Sequence, residues 1–519
     1  MTYPEHMVRR RLLRTGGATA SLLLFALALW ILYIELGRFT TERIVAGAAM
    51  IPASRIGWAA GLLLVSYLMT ALGEVANGRY VALELSAKRA TAAAVITAGI
   101  GNTVRFGLLT ASTLRDRLYR RWGLSGYETE KVHLFSVVGR RLGYALLAGV
   151  AALIYPWTTL DIEPILPFLL GSALLLLAPA FLLLTRLARN GVGLKAVTWY
   201  PPAPRLASAH LITMTAHQFS VALLFYVLIP GALPFGSFLL LYAVAAIVGA
   251  ISRLPGGLGV FDAAFLALLS YAAPVFSGGI PALVGSLILY RLLYFVLPLV
   301  IGSATLIATE RNDPSDRLDW TLPSLGALAV FIIGTLLLLS GATPGIAGRV
   351  QRIQEQIPLS LLEASNLLAA GTGAVLLFLA RGLERRQWAA YRLSAALLPL
   401  AAVFSVLRGG SYEAALSALL VFTALVALRG LFFRRSTQLL GNLSSDRGFA
   451  VLVVIMATAW LTVFANRPVA LNRYLWLEVS PEASAARSLR SLGAASAIAG
   501  LVFAFRGTRR LFRGRADSE

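Results

Sequence analysis

Long apolar runs separated by short polar segments dominate this chain, and most runs are near the twenty residues that a helix needs to cross a bilayer. The pattern predicts an all-α polytopic membrane protein with about fourteen transmembrane helices. The spans are expected near residues 18–36, 56–75, 133–156, 165–186, 207–230, 235–252, 260–274, 281–308, 323–341, 359–381, 388–407, 411–432, 447–466 and 484–506.

Composition supports the membrane class and narrows the partners. Of the 519 residues, 58% are hydrophobic and 13% are charged, whereas soluble proteins carry about 25% charged residues. The 46 Lys and Arg against 24 Asp and Glu give a net charge of +22. Such an excess usually lies in cytoplasmic loops and attracts anionic lipids, so no nucleic-acid partner is predicted. The absence of Cys excludes disulfides, thiolate metal sites and a Cys nucleophile.

The distribution of basic residues predicts the orientation of the spans. If both termini are cytoplasmic, the basic clusters near 9–14, 88–89, 115–121, 186–195, 381–386, 429–435 and 506–513 all fall on the cytoplasmic side. The apolar run 90–113 is long enough to cross, but both of its flanks are basic, and Gly99 and Gly101 interrupt its middle. We therefore predict a re-entrant pair of half-helices there, because a fifteenth span would invert all later loops.

A polar stretch rich in charge and Pro near 310–319 predicts an internal boundary. We expect a first bundle of about eight spans over 1–309, a cytoplasmic linker over 310–322 and a second bundle of about six spans over 323–519.

One break in an apolar run carries the strongest functional signal. Residues 252–262 read Ser-Arg-Leu-Pro-Gly-Gly-Leu-Gly-Val-Phe-Asp and interrupt the run 235–274, which predicts a Pro/Gly-broken helix pair. The breaking residues are Pro255, Gly256, Gly257 and Gly259. Within hydrocarbon, such a break is tolerated only where it is buried in protein or lines a watery cavity.

Charged residues beside this break are the main candidates for contact with substrate. Arg253 would end one half-helix and Asp262 would begin the next, where the helix dipoles suit a cation and an anion respectively. The alternative is that the two pair with each other or cap their own helices. Arg291 and Tyr294 share one helix face with Pro298 in span eight. Arg291 can equally be structural, bonded to carbonyls that Pro298 or the break leaves free.

Several further polar residues are candidates with weaker signals. Glu74 is expected to be a solvated carboxylate at the end of span two. For Arg105 in the re-entrant segment and Arg140 at the start of span three, phosphate contact and head-group anchoring both stay open. Glu363 and Asn366 form an i, i+3 pair in span ten, for which hydrogen bonding between helices is expected.

No soluble catalytic motif occurs: there is no P-loop, no H-E-x-x-H and no G-x-S-x-G. His210 and His217 lie seven residues apart, which makes a poor metal site. The sequence therefore assigns no catalytic residue, no metal and no cofactor to this chain.

At this point a family resemblance becomes apparent. The stretch 252–262, followed by Tyr-Arg-Leu-Leu-Tyr-Phe-Val-Leu-Pro at 290–298, resembles the membrane region of lysylphosphatidylglycerol synthases, the bacterial multiple peptide resistance factors. Ser-Gly-Ala-Thr-Pro at 340–344, Ala-Arg-Gly-Leu-Glu-Arg-Arg at 380–386 and Leu-Arg-Gly-Leu-Phe-Phe-Arg at 428–434 resemble the second bundle of that family.

The resemblance implies a flippase of aminoacylated phosphatidylglycerol in the bacterial inner membrane. In that family a cytosolic domain transfers an amino acid from aminoacyl-tRNA to the lipid. The membrane part moves the product to the outer leaflet, which gives resistance to cationic antimicrobial peptides. Arg253 or Arg291 would bind the phosphate, and Asp262 the ammonium groups. This chain ends at Glu519, soon after the last span, so we expect the transferase on a separate domain or subunit and assign no enzyme activity here.

Other interpretations of the function and of the chain stay open. The same fold could move another lipid or a polyprenyl-linked substrate. It could also be a scaffold that anchors a separate transferase. The end at Glu519 fits a natural stand-alone flippase or a truncation, and the sequence does not decide whether the chain forms a homodimer.

Overall fold

The computed structural model describes residues 21–34, 36, 47, 49–104, 109–155, 163–188, 191–194, 197–231, 233–252, 254–272, 279–311, 318–343, 357–409, 411–435, 445–466 and 484–516. Within them the chain is α-helical apart from one short antiparallel hairpin of β1 (Val192–Leu194) and β2 (Val197–Trp199).

The helices of the first half are α1 (Ser21–Ile34), α2 (Ala53–Tyr80), α3 (Ala87–Gly101), α4 (Ala111–Arg121), α5 (Gly126–Ile154), α6 (Ile165–Leu187), α7 (Pro204–Leu228), α8 (Phe235–Ile251), α9 (Val260–Ala272), α10 (Ile280–Arg291) and α11 (Leu297–Arg311). A π-helical turn, Leu292–Val296, joins α10 to α11. The second half contains α12 (Leu318–Ala342), α13 (Leu359–Glu384), α14 (Trp388–Leu407), α15 (Tyr412–Ala427), α16 (Ser445–Ala465) and α17 (Ser484–Ala516).

A helix occupies each of the fourteen predicted spans, with boundaries shifted by a few residues. Among the described residues, nine helices are long and apolar enough to cross a membrane. Four apolar helices are shorter: α1, α8, α15 and the segment Pro255–Tyr271 that contains most of α9. The chain is thus an all-α multi-pass membrane protein, and the exact number of crossings stays a prediction.

Proline fixes where several of these helices begin. Pro52, Pro164, Pro234 and Pro358 directly precede α2, α6, α8 and α13. Proline has no backbone N–H to leave unsatisfied at a helix start, and it disfavours a helical conformation in the residue before it. Each of these four helices therefore begins directly after its proline.

The chain divides into two compact units, Met1–Asn312 and Asp313–Glu519. The division falls inside the predicted linker 310–322, but that linker is shorter than predicted, because α11 continues to Arg311 and α12 begins at Leu318. Its cytoplasmic position stays a prediction.

Small residues allow close helix packing in the second unit. A Cβ built on Gly334 of α12 would lie 2.8 Å from the Gly373 carbonyl of α13, and one on Gly373 would lie 2.9 Å from the Gly334 carbonyl. Membrane helices associate through such small-residue contacts because lipid tails give them no hydrophobic driving force.

The predicted re-entrant segment 90–113 is not one continuous helix. α3 ends at Gly101, residues 105–108 lie outside the described residues, and α4 begins at Ala111. A helix thus occupies the first half of the predicted segment, and its re-entrant placement stays a prediction. α4 extends beyond the segment to Arg121 and is amphipathic rather than apolar: it buries Leu114 and Leu118.

Candidate functional site: a cationic cavity in the first unit

The first unit contains a cavity of about 470 Å³ where several helices end. Gly101 at the end of α3 and Gly256 and Gly257 in the turn between α8 and α9 line it. Helices α3, α8 and α9 have 15, 17 and 13 residues, so they rise about 20–26 Å, less than the ~30 Å hydrocarbon core. Their ends therefore create polar space inside the bundle.

The break between α8 and α9 is a 3-10 turn, Pro255–Gly257, which depends on glycine. Gly256, Gly257 and Gly259 have φ of +57°, +62° and +75°. Residues with a side chain rarely adopt this left-handed region. The glycines that the sequence predicted to break the helix are therefore the ones with left-handed backbone at the turn.

Arg291 holds this turn in place. Its Nη2 and Nε donate to the Asp262 carboxylate at 2.8 and 3.2 Å, its Nη1 donates to the Gly256 carbonyl, and its Nη2 lies 3.4 Å from the Gly257 carbonyl. Asp262 also accepts from the Gly259 backbone N–H at 2.9 Å. The geometry therefore matches the structural alternative for Arg291, in which the guanidinium bonds carbonyls that the break leaves free.

The guanidinium also lies over aromatic rings, 4.9 Å from the centroid of Phe295 and 5.3 Å from that of Phe261. Its side chain is 14% exposed and that of Asp262 17%. Arg253, which we considered as a partner of Asp262, lies outside the described residues. Among the described residues, Asp262 pairs with Arg291.

Tyr294 lies in the π-helical turn and lines the cavity. Its hydroxyl is 3.5 Å from Nε2 of His217, whose Nδ1 lies 2.9 Å from the Ser66 hydroxyl. That Pro298 shares its helix face stays a prediction. The Pro298 carbonyl lies against α3, where a Cβ on Gly99 would meet it.

Glu74 is the largest correction to the sequence prediction. It is not a solvated carboxylate: it is 1% exposed and lines the cavity. It forms a buried ion pair with Arg115 and accepts from the Tyr119 hydroxyl at 2.6 Å and from Asn77 Nδ2 at 3.0 Å. α4 supplies Arg115 and Tyr119, which the sequence analysis noted only as part of a basic segment.

The pKa shifts of Arg115 and Tyr119 on α4 favour the protonation states that these contacts require. Burial lowers the pKa of the Arg115 guanidinium, but the adjacent Glu74 carboxylate outweighs it, so the pKa lies above its ordinary value. Burial, followed by the Glu74 charge, raises the pKa of the Tyr119 hydroxyl well above its ordinary value. Tyr119 therefore stays protonated and donates to Glu74.

The cavity has an excess of positive charge. Among the described residues that line it, the charged ones are four arginines and one glutamate: Arg115, Arg140, Arg141, Arg291 and Glu74. Arg140 is partly buried and makes no hydrogen bond or ion pair in the part of the chain that the structure describes.

Several buried polar atoms of the cavity also have no hydrogen-bond partner among the residues that the structure describes. The donors without one are Nε and Nη1 of Arg115. The acceptors are Oδ1 of Asn77 and Oε1 of Gln218, and both ring nitrogens of His210 are unpaired. Buried polar groups are normally hydrogen-bonded, so these atoms indicate a place for a polar ligand or water.

The remaining predicted residues lie elsewhere. Arg105 is outside the described residues. Glu363 and Asn366 belong to the second unit, where Glu363 accepts from Arg490 Nη2 at 2.5 Å and from Arg487 Nη1 at 3.4 Å. The prediction of helix-to-helix bonding thus describes Glu363, since it lies on α13 and both arginines lie on α17.

Sequence reasoning missed Arg115, Gln218 and Tyr119 as site residues. The available signal was the i, i+4 spacing of Leu114 and Leu118, which gives a short helix one apolar face. Arg115 and Tyr119 have the same spacing and lie beside that face. Gln218 carried no signal beyond being polar in an apolar span.

Comparison with known proteins gives distant relatives. No protein-family model matches the chain. It is 28% identical over 310 residues to the uncharacterized protein slr0712 of Synechocystis, covering 58% of this chain and 94% of that protein. It is 28% identical over 261 residues to the inner membrane protein YbhN of Escherichia coli, covering 47% and 76%.

A third relative is the phosphatidylglycerol lysyltransferase of Bacillus subtilis, 28% identical over 233 residues. That match covers 39% of this chain and only 26% of the lysyltransferase. The chain is therefore a multi-pass membrane protein distantly related to YbhN and slr0712, with a partial match to a phosphatidylglycerol lysyltransferase.

Proposed function

We propose that this chain is a flippase that moves aminoacylated phosphatidylglycerol from the inner to the outer leaflet. The observation that carries the proposal is Arg140, a cation that makes no hydrogen bond or ion pair with any described residue, in the same cavity as the unpaired donors of Arg115. Both lie inside a bundle of membrane-spanning helices. A cation there needs an anion, and a lipid phosphate is the anion that membranes supply in quantity.

The cavity offers matching groups for both charges of such a head group. Arg140 and the free donors of Arg115 suit the phosphate oxygens. The unpaired acceptors Asn77 Oδ1 and Gln218 Oε1 suit the ammonium groups of the aminoacyl part. Glu74 is held by protein donors, so we assign it the task of orienting Arg115. A head group loses its water on entering the membrane, and these contacts replace that hydration.

The broken hairpin gives the cavity a wall that can move. Gly256 and Gly257 line the cavity, and their turn is held by Arg291 and Asp262. Release of this contact would free the turn while leaving α8 and α9 intact. We propose that opening of this contact admits the lipid.

A flippase of this kind needs a membrane location and a source of aminoacyl lipid, and it would change the charge of the outer leaflet. The protein would lie in the inner membrane with both termini cytoplasmic, and a transferase domain or subunit would supply the aminoacyl lipid. Cationic lipid in the outer leaflet would then repel cationic antimicrobial peptides. The name of the lysyltransferase relative and the inner-membrane placement of YbhN support this setting.

The test is an Arg140→Gln substitution in cells that make lysyl-phosphatidylglycerol through a separate transferase. We expect outer-leaflet aminoacyl lipid, labelled by a membrane-impermeant amine reagent, to fall severalfold, while total aminoacyl lipid is unchanged. Arg79→Gln, which changes an exposed arginine of α2, is the matched control. Unchanged outer-leaflet labelling in Arg140→Gln would contradict the proposal, and a wild-type chain that is inert in liposomes would favour the scaffold alternative.

One observation favours a second substrate class. Glu74 and Asp262 are each paired with a protein arginine, whereas positive charge in the cavity is left over. A purely anionic head group, such as that of another phospholipid or a polyprenyl phosphate, would fit this imbalance. Mass spectrometry of the lipids that copurify with the protein separates the two substrates.

A further inference from the structure

Two basic segments of the second unit meet at one end of its helices. They share the pattern Arg-Gly-Leu-x-x-Arg, at 381–386 and at 429–434. The first closes α13 and leads into α14, and the second follows α15. The Arg434 N–H donates to the Arg386 carbonyl at 3.0 Å, and the Trp388 N–H donates to the Arg434 carbonyl at 3.1 Å. The backbone therefore holds the two segments side by side.

A stack of aromatic rings fixes the second segment on α14. Phe432 is 1% exposed and lies nearly parallel to Tyr391, with 5.2 Å between the ring centroids. Tyr391 stacks in turn on Trp388, also at 5.2 Å. The next residue, Phe433, is 59% exposed, and the Arg386 guanidinium lies 5.7 Å from its ring centroid. The segment thus has one buried aromatic ring that anchors it and one ring that is open to its surroundings.

The turn between α13 and α14 has a constrained backbone. Arg386 has φ of +59°, in the left-handed region that residues with a side chain rarely adopt. Gly382 lies so close to α14 that a Cβ on it would meet Ala390. A conformation of this kind persists only where the surrounding structure fixes it. The turn therefore holds Arg385 and Arg386 in a defined place beside the second segment.

The surface formed by these segments is strongly cationic. Residues 381–392 and 428–435 contain seven arginines and one glutamate, an excess of six positive charges. Arg385, Arg434 and Arg435 are exposed, and their side chains form no ion pair or hydrogen bond within the part of the chain that the structure describes. Three guanidinium groups thus start beside one backbone contact and are available to an anion from outside the protein.

We propose that the surface of Arg385, Arg434, Arg435 and Phe433 binds the head groups of anionic phospholipids in the adjacent leaflet. Guanidinium groups match phosphate oxygens, and clusters of basic residues at the end of a membrane helix attract anionic lipids. An exposed aromatic ring at a helix end lies at the level of the head groups, which favours a lipid over a soluble acidic partner. Because the backbone already holds both segments in place, binding needs little further ordering.

The predicted orientation agrees with this choice of partner. Loop charge places this end of the bundle at the cytoplasmic leaflet, where anionic lipids make the membrane surface negative. The surface belongs to the second unit alone, so the proposal does not depend on the function proposed for the first unit.

The test uses the purified full chain in phosphatidylcholine liposomes that contain a phosphatidylglycerol with a photoreactive head group. Cross-linked chymotryptic peptides from 381–392 and 428–435 are quantified by mass spectrometry, so lipid bound in the first unit does not contribute. We expect this labelling to fall roughly tenfold or more when Arg385→Gln, Arg434→Gln and Arg435→Gln are combined, because each basic residue near the surface adds to the attraction. A phosphatidylcholine with the same photoreactive group has no net charge and should label these peptides weakly in every variant.

A matched variant separates this surface from the overall charge of the protein. Arg79→Gln, Lys88→Gln and Arg89→Gln, combined, remove the same number of exposed positive charges from the first unit. This control should label the second unit like the wild type. All replaced residues are exposed, so both combined variants should also melt with the wild type.

Two outcomes would overturn the proposal. One is unchanged phosphatidylglycerol labelling in the combined Arg385, Arg434 and Arg435 variant. The other is equal labelling of the wild type by the two lipid probes, which would favour an acidic protein as the partner. Salt gives a further check, because exposed charges are screened beyond ~10 Å at about 0.1 M salt and beyond ~3 Å at about 1 M. Phosphatidylglycerol labelling should therefore fall between these two concentrations, and labelling that ignores salt would contradict the role of the arginines.

Discussion

Arg291 is the residue on which the broken hairpin depends most directly. One guanidinium bonds the Asp262 carboxylate and two carbonyls of the turn, so it satisfies three groups that water cannot reach easily. Removing one partner of a buried pair leaves the other charge without compensation, and this costs more than the pair contributes. Arg291 also bonds the Gly256 and Gly257 carbonyls, and a change at Asp262 leaves those bonds in place. The turn should therefore be more sensitive to changes at Arg291 than to changes at Asp262.

Arg291→Leu should destabilise the protein by about 3–5 kcal/mol, because it leaves Asp262 and the Gly256 and Gly257 carbonyls unpaired. Asp262→Asn keeps an acceptor for the Gly259 N–H and should cost only about 1–3 kcal/mol. Thermal unfolding in detergent, followed by the fluorescence of the nine tryptophans, measures both. Arg79→Gln is the control, and an Arg291→Leu variant that melts with the wild type would contradict this assignment.

At the scale of elements, glycine decides where helices stop and how closely they approach. The turn between α8 and α9 requires positive φ, and it also requires space: a Cβ on Gly257 would lie 3.2 Å from the Gly249 Cα of α8. The two short helices can therefore return on each other only through glycine. This keeps the end of the hairpin, and with it the cavity, within the bundle.

Gly257→Ala should lower stability by about 1–2 kcal/mol from the left-handed backbone alone, with packing adding to the cost. Gly61→Ala on α2 is the matched control, since a Cβ there meets nothing within 4 Å and alanine favours a helix over glycine. The apparent melting temperature should fall for Gly257→Ala and hold or rise for Gly61→Ala. Equal melting of the two variants would show that the turn is not strained by a side chain.

The sequence predicted elements better than contacts. Twenty-residue apolar runs give a strong signal, so a helix occupies each predicted span. The short basic helix α4 was missed because its apolar face has only a few residues, among them Leu114 and Leu118. The partner of Glu74 was missed for another reason: Arg115 is 41 residues away, and only packing brings the two together.

At the scale of the whole molecule, charge distinguishes the two ends of the second unit. Arg386, at the end of α13, accepts at its carbonyl from the Arg434 N–H, and the Arg434 carbonyl accepts from the Trp388 N–H. This places the two basic segments 381–386 and 429–435 at one end of the bundle. The opposite end holds Arg408 with the Glu363 pair. Because loop cations favour the cytoplasm, the segment with Arg386 and Arg434 should be cytoplasmic.

Single cysteines test this orientation without background, because the chain has no native Cys. Arg79 and Glu130 flank α3 and α4 and are exposed, and Tyr412 begins α15 and is 57% exposed. A membrane-impermeant maleimide on intact cells should label Tyr412→Cys only, whereas Arg79→Cys and Glu130→Cys should require permeabilised cells. If α3 crossed the membrane, Arg79→Cys and Glu130→Cys would label on opposite sides. That result would replace the re-entrant segment with a true span and invert every later loop.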